Sequence, residues 1–200
     1  MDECSEASVV QLLPLVSPQR REMAMRKTSL QSRFVSLLSF RLLTLLLPQL
    51  HWDDVVWHYN AHGKPFLVGR DGHHVGYWFS ISHCRKAVLV AAADCEVGAD
   101  VESFRTPSPA LLRRCMNADE MAQICSDAHP DQVFTLLWTR KEAVAKYRGT
   151  GIDDTLPDLL SGPEQVESRL FPGKGYACSV AMAQPQPIES VDFDNIFPWS

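Results

Sequence analysis

Phe34 to Leu47 is the most apolar run of the chain, interrupted by Arg41 and stopped by Pro48. It falls short of the roughly 20 residues needed to span a bilayer. Its apolar side chains surround the helix instead of forming one stripe, and a helix of that kind has to be covered on most faces. Leu30 to Leu47 is therefore read as a buried core helix. The chain is long enough to cover it: 200 residues, 46% hydrophobic and 22% charged, allow one large domain or two small packed halves.

The elements around this helix are marked by local signals. The chain up to Pro18 is polar apart from the short apolar stretch Val9 to Val16. Ser17 and Pro18 fit the N-cap and first residue of a basic helix. Trp52 to Tyr59 alternates loosely, as a short strand does. Gly63-Lys64-Pro65 is a turn, and Lys64, preceding a proline, should be extended. Gly69 to Gly76 reads as loop. Tyr77 to Ser82 and Ala87 to Ala93 are two strands, joined through Cys84-Arg85-Lys86 as a hairpin. Val97 to Val101 is a third strand. Pro107 and Pro109 open a helical stretch from about Ala110. Asn117 with Glu120 forms a capping box. Asp131 to Tyr147 is a long helix ending near Gly149. Leu156 to Leu160 reads as loop or short strand, and Tyr176 to Met182 as strand.

A formal net charge of -5 gives no reason to expect a nucleic-acid partner. The charge is uneven, however. Arg20, Arg21, Arg26, Lys27, Arg33 and Arg41 fall in one stretch against the single acid Glu22, so a polyanionic ligand could bind there, although a solvated helix face would look the same. The six cysteines are scattered without a C-x-x-C pair, which speaks against a zinc ribbon or a disulfide scaffold. Met1 to Ala7 is acidic and polar, unlike a secretory leader. The expectation is a reducing, cytoplasmic setting with no membrane contact.

Two clusters carry chemistry. In Gly98-Ala99-Asp100-Val101-Glu102, a strand projects both carboxylates from one face, with Val97, Ala99 and Val101 on the other. Adjacent carboxylates repel unless neutralised, and a divalent cation is a natural partner. Gly98 on the same face leaves room. In Trp138-Thr139-Arg140-Lys141-Glu142-Ala143-Val144-Ala145-Lys146, helical spacing lines Trp138, Glu142 and Lys146 along one stripe. A surface salt bridge beside a core tryptophan would give the same pattern. A third piece is Phe79-Ser80-Ile81-Ser82-His83. With Phe79 and Ile81 facing a core, Ser80 and Ser82 face away and His83 ends the strand. No G-x-S-x-G elbow surrounds Ser82 and no oxyanion-hole motif accompanies it, which makes it a poor candidate for a nucleophile. Neither G-x-x-x-x-G-K-[ST] nor G-x-G-x-x-G occurs.

Taken in order, Gly63-Lys64-Pro65, Phe79-Ser-Ile-Ser-His83, Gly98-x-Asp100-x-Glu102 and Trp138-x-x-Lys141-Glu142-Ala143-x-x-Lys146 closely resemble the 4′-phosphopantetheinyl transferases of the surfactin-synthetase-activating type. The resemblance runs from about Ser17 to Ala183. Ser17-Pro18-x-Arg20-Arg21-Glu22 is similar to the family's N-terminal basic segment. Ser80 stands where the family often has Asn, and Met23 where some relatives carry a second phosphate-binding lysine.

The resemblance implies an α+β fold, a pseudo-dimer of two similar α+β halves with the active site in the cleft between them. The halves would be residues 1–95, on the nucleotide side, and 96–200, carrying the metal and the catalytic groups. Asp100, Glu102 and Glu142 would bind Mg²⁺ on the pyrophosphate of coenzyme A. His83 and Lys146 would contact the diphosphate, and Glu142 would take the proton. Arg20 would lie near the 3′-phosphate, with Lys64, Pro65 and Ser82 helping to hold the nucleotide. The implied reaction moves phosphopantetheine onto a serine of an apo acyl or peptidyl carrier protein. A coenzyme A-binding protein of the same fold without turnover is the alternative. A monomer is expected, because a pseudo-dimer has less reason to self-associate.

Overall fold

The structure, a computed structural model, describes residues 4–151 and 155–189. It mixes helices with three antiparallel sheets, an α+β arrangement.

The N-terminal helices wrap the apolar run. α1 (Glu6–Leu12) starts at Ser5, whose side chain accepts from the Ser8 N–H. The Val9 to Val16 stretch thus includes most of a helix, and Val9, Leu12 and Val16 are its buried positions. α2 (Pro18–Met25) begins as expected, with the Ser17 side chain accepting from Arg20 N–H and Pro18 in its first turn. α3 (Leu30–Leu46) buries Phe34, Leu37 and Leu43 almost completely. α1 and α2 pack on it, and the strand β4 (Val88–Ala93) lies against it as well.

β4 pairs with β3 (Trp78–His83) in the expected hairpin, closing at His83 opposite Val88. β1 (Val55–Tyr59) pairs with β2 (Pro65–Gly69), with Tyr59 opposite Pro65. β2 was not apparent in the sequence, because its five residues begin with the turn proline and end in the glycine-rich loop.

The third sheet runs β5 (Gly98–Ser103), β7 (Tyr176–Met182), β6 (Gln165–Phe171), with β7 central. α4 (Pro109–Cys115), α5 (Ala118–Ser126) and α6 (Pro130–Arg148) lie between β5 and β6 in the chain. The capping box at Asn117 and Glu120 is formed. Leu156–Ser161 is a 3-10 helix, not a strand, with Pro157 in its first turn and Leu156 and Leu159 buried. Among the described residues no helix is long and apolar enough to cross a membrane.

α6 packs on β5 and β7. Gly98, Asp100 and Glu102 stand opposite Ala181, Ser179 and Ala177, and directly opposed residues share a face. That face is paved with small side chains, so the helix comes very close. The room at Gly98 is filled by α6 itself: a Cβ there would sit 2.1 Å from Ala143 O and 2.2 Å from Tyr147 N. These are backbone atoms that cannot swing aside. Gly98→Ala should therefore push α6 off the sheet and cost about 1–3 kcal/mol, the usual range for overpacking. A denaturation midpoint unchanged from wild type would refute this close fit.

Candidate active site

Three distant segments meet at one carboxylate oxygen. Asp100 projects from the middle of β5 and is 5% exposed. Its Oδ1 accepts a hydrogen bond from Ser82 Oγ at 2.7 Å and from Lys146 Nζ at 2.7 Å. Ser82 comes from β3 and Lys146 from the last turn of α6. The alternative, a Glu142–Lys146 surface pair, is not among the ion pairs of the described residues; Lys146 turns to Asp100 instead.

β3 is held to β5 by a second serine. Ser80 Oγ accepts from Ala99 N–H at 2.9 Å and approaches Ala99 O at 3.4 Å. Ser80 and Ser82 do face away from Phe79, but they are buried against β5, not exposed to solvent. Ser80 thus meets backbone groups of β5, which pairs with β7 alone in its sheet.

The acidic charge is concentrated. Burial, and then the charge of Asp100, pushes the Glu142 carboxyl up to about 7, with Glu102 adding to the effect. The same two causes, in the same order, raise Glu102. Burial lowers His83, helped by the charges of Lys146 and Lys27. A neutral imidazole at pH 7 follows for the ligand-free protein.

The donor set suits a hard divalent cation. Asp100 Oδ2 is buried and has no hydrogen-bond partner, and the three carboxylates supply oxygen ligands of the kind Mg²⁺ takes. Among the described residues, no group of three or more acidic, histidine or cysteine side chains is already arranged to hold a metal ion. Lys146 supplies the neutralising charge at Asp100 Oδ1.

The other expected ligand residues lie on the N-terminal elements. The Arg20 guanidinium covers Trp57 at 4.1 Å and Phe40 at 5.1 Å, and its Nε and Nη2 are buried without a hydrogen-bond partner. Burial lowers its pKa. Lys64 bonds Glu96 and donates to Tyr147 O at 2.9 Å, so its ammonium reaches α6. Pro65 opens β2 beside it. A hollow of about 450 Å³ near Ser17, Arg41, Thr44 and Trp52 is lined by Asp53 and Asp54 but by none of Asp100, Glu102 and Glu142.

Two residues had no role assigned from the sequence, although Lys141 stands within the helix motif. Arg105, just past β5, lies over Phe134 at 5.6 Å and Trp138 at 5.3 Å. Its charge lowers both Glu142 and Glu102. The spacing of Phe134 and Trp138, four apart on a helix, was the available signal. Lys141, beside Glu142, is fully buried and pairs with Glu120 at 2.9 Å.

The 4′-phosphopantetheinyl transferase AcpT of Salmonella typhimurium is 32% identical over 115 residues, covering 52% of this chain and 57% of the relative. AcpT of Escherichia coli K12 is 33% identical over 115 residues, covering 52% of this chain and 56% of its own length. The chain thus matches little more than half the length of these curated relatives. Residues 96–190, the segment that contributes Asp100, Glu102, Glu142 and Lys146, match the 4′-phosphopantetheinyl transferase superfamily.

Proposed function

We propose that this protein is a 4′-phosphopantetheinyl transferase of the surfactin-synthetase-activating type, acting in the cytoplasm on an apo acyl or peptidyl carrier protein. The observation that carries the reading is the meeting of Ser82, Lys146 and Asp100 at one oxygen, within reach of the charge of Glu142 and Glu102. The site would lie between two α+β halves, residues 1–95 and 96–200, arranged as a pseudo-dimer.

In this reaction the carrier serine oxygen attacks the β-phosphorus of coenzyme A. A serine O–P bond forms and the bond to adenosine 3′,5′-bisphosphate breaks. Glu142 receives the serine proton, and a carboxyl near 7 is well matched to that task at neutral pH. Lys146 and His83 hold the diphosphate, each with a charge-assisted or neutral N–H donor. The unpartnered N–H groups of Arg20 donate to the 3′-phosphate, while Ser82, Lys64 and Pro65 border the nucleotide. Lys64 has three N–H donors and two protein acceptors, which leaves one for the ligand. Asp100, Glu102 and Glu142 would hold Mg²⁺, which neutralises pyrophosphate charge. Arg105 lies over Trp138, at the other end of the stripe from Lys146.

The deciding experiment incubates the protein with coenzyme A, Mg²⁺ and a panel of apo carrier proteins. A phosphopantetheine mass increase on the carrier is expected, and none when the carrier serine is changed to alanine. Coenzyme A binding without any mass increase would favour the silent binding protein.

Metal and protons should compete. Glu142 is raised above its unfolded value of 4.5 to about 7, so its contribution to stability is present below about pH 4.5 and is lost as pH rises through 7. Mg²⁺ would oppose that loss. Thermal stabilisation by Mg²⁺ should therefore be small below about pH 5 and grow toward about pH 8. A pH-independent shift in melting temperature would remove these carboxylates as the metal site.

A further inference from the structure

The C-terminus of α6 is closed by a turn from far away in the chain. The last carbonyls of any helix lack intrahelical donors and need partners. Gly149, at the left-handed φ of 66°, returns its N–H to Ala145 O. Two of the remaining carbonyls are served by the β1–β2 turn: Lys64 Nζ donates to Tyr147 O at 2.9 Å and Asn60 Nδ2 donates to Gly149 O at 3.0 Å. The cation also sits at the negative end of the helix dipole.

Asn60 holds this turn in shape while it caps. Its Oδ1 accepts from His62 N–H at 2.9 Å and from Lys64 N–H at 2.8 Å. The turn is seated directly on the glycine, since a Cβ at position 149 would lie 2.9 Å from Asn60 Nδ2 and 3.0 Å from Lys64 Cδ. Tyr147 is next to Lys146, whose ammonium must meet Asp100, and Glu142 lies one turn earlier.

We infer that Asn60 is a positioning residue: its turn caps α6 from outside and fixes the register of Glu142 and Lys146 over β5. The catalytic part rests on the transferase reading above. A small displacement of reacting groups costs rate far more than it costs binding, because the loss falls on the transition state.

Two variants separate capping from turn closure. Asn60→Ala loses both. Asn60→Asp keeps the acceptor for His62 and Lys64 but loses the donor to Gly149 O. In the full-length protein, both should speed amide exchange over residues 145–149 by about tenfold, and both should lower kcat by about tenfold with KM for coenzyme A nearly unchanged. Normal exchange in both variants overturns the cap. Faster exchange with a normal kcat overturns the positioning role. Asn60→Asp behaving as wild type, with Asn60→Ala impaired, reduces Asn60 to closing its own turn. If the wild-type protein transfers nothing to any carrier, the transferase reading and the positioning role fail together, and the exchange measurement still decides the cap.

Discussion

Glu142→Gln should lower kcat by at least about 10²-fold, the low end for general-base catalysis. The substitution keeps the shape of a half-buried side chain but removes its ability to take a proton. In the ligand-free protein Glu142 is held up to about 7 by burial and then by Asp100. That value makes it a stronger base than an ordinary carboxylate, with about half of it unprotonated at pH 7. Glutamine also subtracts one charge from the proposed Mg²⁺ ligands, so the measurement belongs at saturating Mg²⁺ and coenzyme A, with product followed by carrier mass. A near-normal kcat there would eliminate Glu142 as the base.

Lys141→Ala should be among the most destabilising single changes in the protein. Its ammonium is fully buried and donates to Leu156 O at 2.9 Å and Pro157 O at 2.7 Å, besides pairing with Glu120 at 2.9 Å. Alanine would leave Glu120, 8% exposed, without its countercharge, take from Leu156 O its side-chain donor, and leave Pro157 O with Asn117 Nδ2 at 3.4 Å. Breaking such a pair costs about 3–5 kcal/mol. For a chain of this size that is roughly 6–20 °C in Tm. Lys141→Met combined with Glu120→Gln removes the stranded charge and should recover part of the loss. A single variant as stable as wild type by urea denaturation would contradict this account.

The helices were legible where capping chemistry is local. Ser17-Pro18, Asn117 with Glu120, and Gly149 each mark an end through their own hydrogen bonds, and the structure places ends there. The β3–β4 hairpin was legible from its short apolar runs. β6 was missed because Glu167 and Arg169 alternate with half-buried residues on an edge strand, a weak signal. The 3-10 helix at Leu156–Ser161 depends on Lys141 and Asn117 contacting its carbonyls, partners 15 and 40 residues distant. Within the site, Asp100 and Lys146 were visible as motif residues, but their contact spans 46 positions and needs α6 laid on β5. Lys141 resembled its neighbour Lys146 in sequence; only burial distinguishes them.

The hydroxyls behind Asp100 bear on why one of its oxygens is bare. Ser179 stands directly opposite Asp100 on the same face. Thr139 Oγ1 gives its hydrogen to Leu136 O at 3.0 Å, so in its 2.8 Å contact with Ser179 it has to accept. Ser179 is thereby spent, and Ser168, 2.9 Å away, must donate to it in turn. A hydroxyl has a single hydrogen to give. The queue runs one way, from β6 toward α6, and none of its protons is left over for Asp100. The sheet thus withholds a donor from the carboxylate it sits beside, and an oxygen denied a proton favours a cation.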